Sequence, residues 1–244
     1  MLEVFMLQTV GGKIMNLRKL ILTENACYKA GRKITPKGIM VHSTGANNPY
    51  LRRYIGPDDG VLGANQYNNH WNQDKPNGRE VCAHAFIGKV KNGTVATYQT
   101  LPWDHRGWHA GGDANDSYIG FEICEDNLTD ATYFKAAYNE AIELCAHLCK
   151  LYGLTEKDII GHYEGHQKGI ASNHGDPKNW FPKHGKSMDT FRYDVKKLLA
   201  LPNPPTVVKL YRVQVGAYRV KSNAEAMLAI VKAAGFTDAF IKIE

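Results

Sequence analysis

The sequence predicts an α/β protein followed by a small C-terminal βαβ module. Short β-branched and aromatic runs bounded by Gly, Asn and Pro read as strands, and a long segment near 130–152 carries apolar residues at helical spacing. The proline cluster LPNPPT, Leu201–Thr206, then sets off the last 38 residues as a separate unit behind a stiff linker. At about 150 residues per domain, 244 residues suit one medium domain plus something small. With 43% apolar, 10% aromatic and 22% charged residues the chain is globular, which excludes a disordered or fibrous protein.

In chain order, KGIMVHS (37–43), AHAFIGKV (83–90), TVATYQTL (94–101) and SYIGFEICE (117–125) are predicted strands. A helix is predicted from about Asp130 to Tyr152, with Phe134, Tyr138, Ile142, Cys145 and Cys149 along one stripe and Gly153 as its stop. KDIIG (157–161) reads as a buried strand entering a histidine-rich loop, and Phe191–Ala200 returns to helix. Beyond the linker, LYRVQVGAYRV (210–220) and DAFIKIE (238–244) are predicted strands. They flank a helix in SNAEAMLAIVKAAGF, capped by Ser222 or Asn223 and stopped at Gly235. Residues 207–244 carry a charge of +3, half of the net +6, which suits an acidic partner.

No apolar run approaches the roughly 18 residues of a membrane span, so no membrane insertion is expected. The basic residues are too scattered to indicate nucleic acid. The start, MLEVFMLQTVGGK, has no basic lead and no long apolar stretch. It therefore reads poorly as a secretory signal, and Met15 is an alternative first residue. Five scattered cysteines, Cys27, Cys82, Cys124, Cys145 and Cys149, read as free thiols of a protein made in the reducing cytoplasm.

His42 and His162 each follow a short apolar strand directly, where side chains converge at a sheet edge. A third metal ligand would come from the loop that follows His162, with His166, His174 and Asp176 as candidates; imidazole with carboxylate suits zinc. HYEGH is not the zincin H-E-x-x-H, and Gly165 disfavours helix, so His166 is assigned to the loop. Glu122 is a carboxylate inside an apolar strand, placed to take a proton from water if partly buried beside a metal. Glu125 and Asp126, past the strand end, read as solvated. LPWDHRGWHAGG (101–112) concentrates two Trp, two His and three Gly, a poor core segment and a good wall for a sugar or peptide cleft. Trp108 and His109 are its candidate substrate contacts. His84, in CAHAFIG, is a further candidate contact that reads equally well as a structural histidine.

Together, MVHSTGANN, CAHAFIGKVKNGTVATYQTLP, GWHAGG leading to NDSYIGFEIC, and IIGHYEG with its downstream Asp-Pro pair resemble the zinc-dependent N-acetylmuramoyl-L-alanine amidases of the type-2 family, relatives of T7 lysozyme and the peptidoglycan recognition proteins. The resemblance covers roughly Asn16 to Ala200. It implies a central mixed β-sheet flanked by helices, with zinc on His42, His162 and Asp176, and Glu122 as general base on the activated water. Where the family commonly has Lys two residues before the third ligand, this chain has His174, which either stabilises the oxyanion or replaces Asp176 as ligand; Asp176 is preferred. The resemblance also implies cleavage of peptidoglycan between N-acetylmuramic acid and L-alanine, in the manner of a phage endolysin held in the cytoplasm until release, or of a bacterial autolysin. A non-catalytic recognition protein is the competing class. Ser43, the nearest candidate for a metal-free nucleophile, lacks a G-x-S-x-G setting. The tail, through VQVGAY, NAE and AGF, resembles about half of a sporulation-related (SPOR) repeat. The full repeat is a glycan-binding βαββαβ sheet, so the half module implies either pairing of two chains into a homodimer or docking on its own catalytic domain. The expected organisation is a catalytic domain over 16–200, a linker over 201–206 and a wall-binding module over 207–244.

Overall fold

The computed structural model describes residues 15–201, 214–236 and 239–241. The chain divides into two compact units, residues 1–206 and 207–244.

The first unit runs β1 (Leu17–Lys19), α1 (Ala26–Ala30), β2 (Gly38–Ser43), β3 (Ala85–Lys89), β4 (Val95–Gln99), β5 (Tyr118–Ile123), α2 (Ala131–Tyr152), β6 (Ile159–Gly161), α3 (His162–Gln167) and α4 (Met188–Ala200). The six strands form one mixed sheet in the order β1-β4-β3-β5-β2-β6. β3 and β4 are antiparallel, whereas β3, β5, β2 and β6 run parallel, so their carboxyl ends share one edge.

Period-two alternation gives each parallel strand two different faces. Ile39 and Val41 of β2 and Ile119, Phe121 and Ile123 of β5 pack under the buried stripe of α2, which includes Phe134, Tyr138, Ile142, Cys145 and Cys149. Each such side chain contributes on the order of 1.5–3 kcal/mol on burial. α2 is bounded as its sequence demands: the Asp130 carboxylate accepts from the Tyr133 N–H, and Gly153 closes the helix at φ 66°. Met40, Gly120, His42 and Glu122 lie on the opposite face, beneath the long connections.

Three features depart from the sequence reading. β1, a three-residue edge strand, has too short a pattern to announce itself. HYEGHQ is a helix, α3, despite Gly165. The Glu164 carboxylate accepts the Gly161 N–H at 2.8 Å and a two-pronged pair from Arg192 of α4 at 2.8 and 2.9 Å, which anchors its first turn. Gly165 packs closely here: an added Cβ would fall 2.7 Å from Met40 Cε and 3.1 Å from Ala171 Cβ. Cys27 and Cys82 form a disulfide across 55 residues rather than remaining thiols, while Cys124, Cys145 and Cys149 are buried and free.

In the second unit the helix is present as α5 (Lys221–Ala233). It begins ahead of Ser222, and Val220 precedes it without a side-chain cap. No residue of α5 is buried. Residues 214–220 and 239–241 carry no strand pairing, and the rest of the two predicted strands lies outside the described residues. Among the described residues no helix is long and apolar enough to cross a membrane.

Candidate functional site

His42, one residue from the end of β2, stands in register with Glu122 of β5, so both side chains rise from the same face at neighbouring strand ends. β6 pairs with the other side of β2 and delivers His162 as the first residue of α3. Asp176 arrives from the loop between α3 and α4, held by the Tyr163 N–H on its carbonyl at 3.2 Å and by the Ser43 N–H on Oδ2 at 3.3 Å. The result is a buried cluster. His42 Nδ1 lies 3.0 Å from His162 Nδ1 and 3.2 Å from Asp176 Oδ2, and His162 Nδ1 lies 3.6 Å from Asp176 Oδ1. Among the described residues these three form a group suited to a metal ion, with one donor atom from each lying within 4.8 Å of the others. Two imidazole nitrogens and a carboxylate match the donor set of Zn²⁺ at a site with an open position.

Five imidazoles form a row through this region. Successive ring centroids are 5.8 Å apart from His84 to His109, 5.0 Å to His42, 4.8 Å to His162 and 4.7 Å to His174, each pair edge to face. The inner end is structural. His84 is fully buried, its Nδ1 takes the Gly120 N–H at 3.1 Å and its Nε2 donates to the His105 carbonyl at 2.8 Å. With both nitrogens committed to backbone it has nothing to offer a substrate, which corrects its assignment as a contact. His109 is likewise engaged inward, with Nδ1 2.9 Å from His42 Nε2 and Nε2 3.1 Å from the Tyr118 carbonyl, so both ring nitrogens meet other groups of the protein. The outer end is open: His174 is exposed beside His162. Trp108 is 42% exposed, with the Arg106 guanidinium 5.2 Å from its ring centre. His166 is exposed, bonds the Ala171 carbonyl and stands apart from the cluster.

The electrostatics single out Glu122. Burial, reinforced by the charges of Asp176 and Glu125 and opposed by His42, pushes its carboxyl up to about 7, and its Oε2 is buried without a hydrogen-bond partner among the described residues. Burial alone would lower His42, but the Asp176 hydrogen bond and the charges of Glu122 and Asp176 outweigh it and hold the imidazole above its ordinary value. Burial depresses His162 to about 4, with the His42 charge adding to it. Glu125, read from sequence as solvated, is 6% exposed and accepts the Ser43 hydroxyl; Asp126 is buried too. The chain folds Ser43 and Thr44 over this turn, and the Glu125 N–H donates to Thr44 Oγ1 at 3.0 Å. Sequence reasoning also missed Ser172, whose Oγ lies 3.2 Å from His162 Nε2; a lone serine in a polar loop carries no signal for that role.

A family model described as N-acetylmuramoyl-L-alanine amidase matches residues 31–179, and one described as SPOR domain matches residues 208–244. A Bacillus licheniformis protein described as a probable N-acetylmuramoyl-L-alanine amidase is 34% identical over 87 residues, 36% of this chain; the match spans only 22% of that relative's length. Among solved structures, the Staphylococcus aureus hydrolase AmiA, in complex with its ligand, is similar at TM-score 0.55 and 20% identity over 76% of this chain and 82% of that one. The PlyG catalytic domain is similar at TM-score 0.53 and 18% identity over 79% and 100%. PlyL is similar at TM-score 0.51 and 20% identity over 75% and 96%. At these identities the structural likenesses show the fold: a mixed sheet flanked by helices.

Proposed function

The chain belongs to the N-acetylmuramoyl-L-alanine amidase family, and from that premise we propose that it hydrolyses the amide between the lactyl group of N-acetylmuramic acid and the L-alanine of the stem peptide, using Zn²⁺ held by His42, His162 and Asp176. The observation that carries the proposal is the convergence of those three donors beside a buried, unpartnered Glu122 oxygen at the parallel strand ends. An ion bound there supplies Lewis-acid activation of a water and of the scissile carbonyl. Glu122, with its carboxyl near 7, is suited to take the proton from the attacking water and to return it to the departing alanine amine. His174, exposed at the open end of the histidine row, is proposed as the donor to the developing oxyanion. The exposed Trp108 ring offers a flat face to a sugar. The test is incubation of the purified chain with peptidoglycan, scoring new alanine amino termini with and without a metal chelator. Chelator-sensitive release supports the proposal; wall binding without release supports a recognition protein instead.

The C-terminal unit is proposed to bind glycan and to pair with a second copy. A unit of 38 residues is too small to enclose its own core, and Val215, Ile230, Phe236 and Phe240 are exposed. A monomer at every concentration in analytical ultracentrifugation would refute the pairing. An endolysin that waits in the cytoplasm is the first biological setting proposed. The Cys27–Cys82 disulfide favours a second, a bacterial autolysin working outside the reducing cytoplasm. Trapping thiols in intact cells separates the two.

A further inference from the structure

We infer that His109 is a positioning residue for the metal site: it holds His42 in the tautomer that turns an unprotonated Nδ1 toward His162 and Asp176, and Ser172 does the same for His162. The inference rests on the proposed metal site and extends it outward by one layer.

The Tyr118 carbonyl can only accept, so His109 Nε2, 3.1 Å away, carries the hydrogen. A neutral imidazole with its hydrogen on Nε2 accepts at Nδ1. His42 Nε2, 2.9 Å from that Nδ1, must therefore be the donor. A neutral His42 with hydrogen on Nε2 has a lone pair on Nδ1. His162 is held in a matching way. Ser172 Oγ donates to the Ala110 carbonyl at 3.0 Å, so toward His162 Nε2, at 3.2 Å, it accepts. The hydrogen of a neutral His162 is thereby placed on Nε2, and its Nδ1 is bare.

Two lone pairs then face each other at 3.0 Å, with a carboxylate oxygen 3.2 Å from one of them. Three acceptors without a hydrogen between them repel unless a cation, a metal ion or a proton on His42 Nδ1, occupies the gap. A dication in that gap would relieve the repulsion without disturbing either outer hydrogen bond.

The surroundings of His109 are shaped for this role. A Cβ at Gly120 would fall 2.3 Å from His109 Nδ1, and one at Gly107 would fall 2.9 Å from its Cδ2, so only glycines leave room for the ring. Its own N–H and that of Ala110 both donate to Asn115 Oδ1 at 2.9 Å. The Ala110 carbonyl receives the Ser172 N–H at 2.8 Å as well as its hydroxyl. One short segment, His109–Ala110, thus orients both histidines, which accounts for the small residues of GWHAGG.

The experiment is a Zn²⁺ titration of the full chain against a competing chromogenic chelator, for the native protein, His109→Leu and His109→Gln. The glutamine amide supplies an acceptor oxygen and a donor nitrogen at about the spacing of the two ring nitrogens. His109→Leu is expected to weaken Zn²⁺ binding by roughly 10–100-fold, and His109→Gln to restore it to within about 3-fold of native. Native affinity in His109→Leu, or equal loss in both variants, would overturn the inference, because packing alone does not distinguish the hydrogen-bond pattern. Histidine ¹⁵N spectra of the unmutated chain test it without any substitution. Nε2-protonated His109 and His42 are expected, and hydrogen on His109 Nδ1 would overturn it. A chain that takes up no Zn²⁺ refutes the metal reading, while the ¹⁵N spectrum still decides the tautomer of His109.

Discussion

Replacing Cys27 and Cys82 together by serine releases a loop of 55 residues that the disulfide closes. The chain-entropy cost of leaving such a loop open in the unfolded state is about 4 kcal/mol, between the values for loops of 15 and 100 residues. The native structure keeps other ties to the same segment. Asn25 Nδ2 donates to the Trp71 and Val81 carbonyls at 2.9 and 3.0 Å, and Cys82 exchanges backbone hydrogen bonds with Trp108 at 3.1 and 3.2 Å. These ties preserve the native fold of the variant but do nothing to restrict its unfolded chain, so nearly the whole entropic term is lost. At ~2–4 °C per kcal/mol for a chain of this size, the double variant should melt about 10 °C below the oxidised protein. Thermal unfolding followed by circular dichroism, with and without reductant, is the assay: reductant should lower the native melting temperature to that of the variant and leave the variant unmoved. Melting temperatures within about 2 °C of each other would refute the reasoning. So would five titratable thiols in the unfolded, unreduced chain. Because Cys82 pairs with Trp108, next to His109, the variant is also expected to bind Zn²⁺ more weakly.

Two further substitutions separate chemistry from stability. Glu122→Gln removes the proposed base with little change of shape and should lower amide cleavage by about 10²–10⁴-fold. Because it also removes a buried charge repelled by Asp176 and Glu125, urea denaturation should show stability unchanged or raised; a less stable variant that keeps its activity would contradict the assignment. Asp194→Asn tests an acid-side contribution remote from the site. Burial acts to raise the Asp194 carboxyl, but hydrogen bonds from Lys197, Lys186 and Tyr138 prevail and hold it below its ordinary value of 3.8. A depressed carboxyl stabilises the fold fully above its unfolded value and loses that contribution as pH falls through the folded one. With Lys197 largely exposed, the variant should cost about 1–2 kcal/mol at pH 7 and converge with the native protein below pH 3.8, read from urea midpoints across pH.

What was legible in the sequence had a local cause. The strands bearing His42, Glu122 and His162 announce themselves because apolar runs end abruptly in polar residues, and α2 because Asp130 and Gly153 bracket an apolar stripe. The remainder depended on which loop lies on which. Nothing local tells Cys82 that Cys27 lies opposite it, 55 positions earlier. Glu125 follows the end of β5 and looks solvated until Ser43 and Thr44 are known to fold over it. The sequence marks His84 and His109 as candidate contacts, but whether such a ring meets substrate, backbone or another histidine is decided by contacts with Gly120, Tyr118 and His105, none of which a linear pattern encodes. Gly165 misled because its helix cost of ~1 kcal/mol is outweighed by the Glu164–Arg192 pair and by close packing on Met40.

The most direct test of the metal centre is elemental analysis of the native chain beside Asp176→Asn, both supplied with Zn²⁺ and passed through gel filtration. About one zinc per native chain and far less in the variant is the predicted result, since a neutral amide in place of the carboxylate leaves two imidazoles to hold the ion. A native chain free of zinc that still releases alanine from peptidoglycan would contradict the account at its centre.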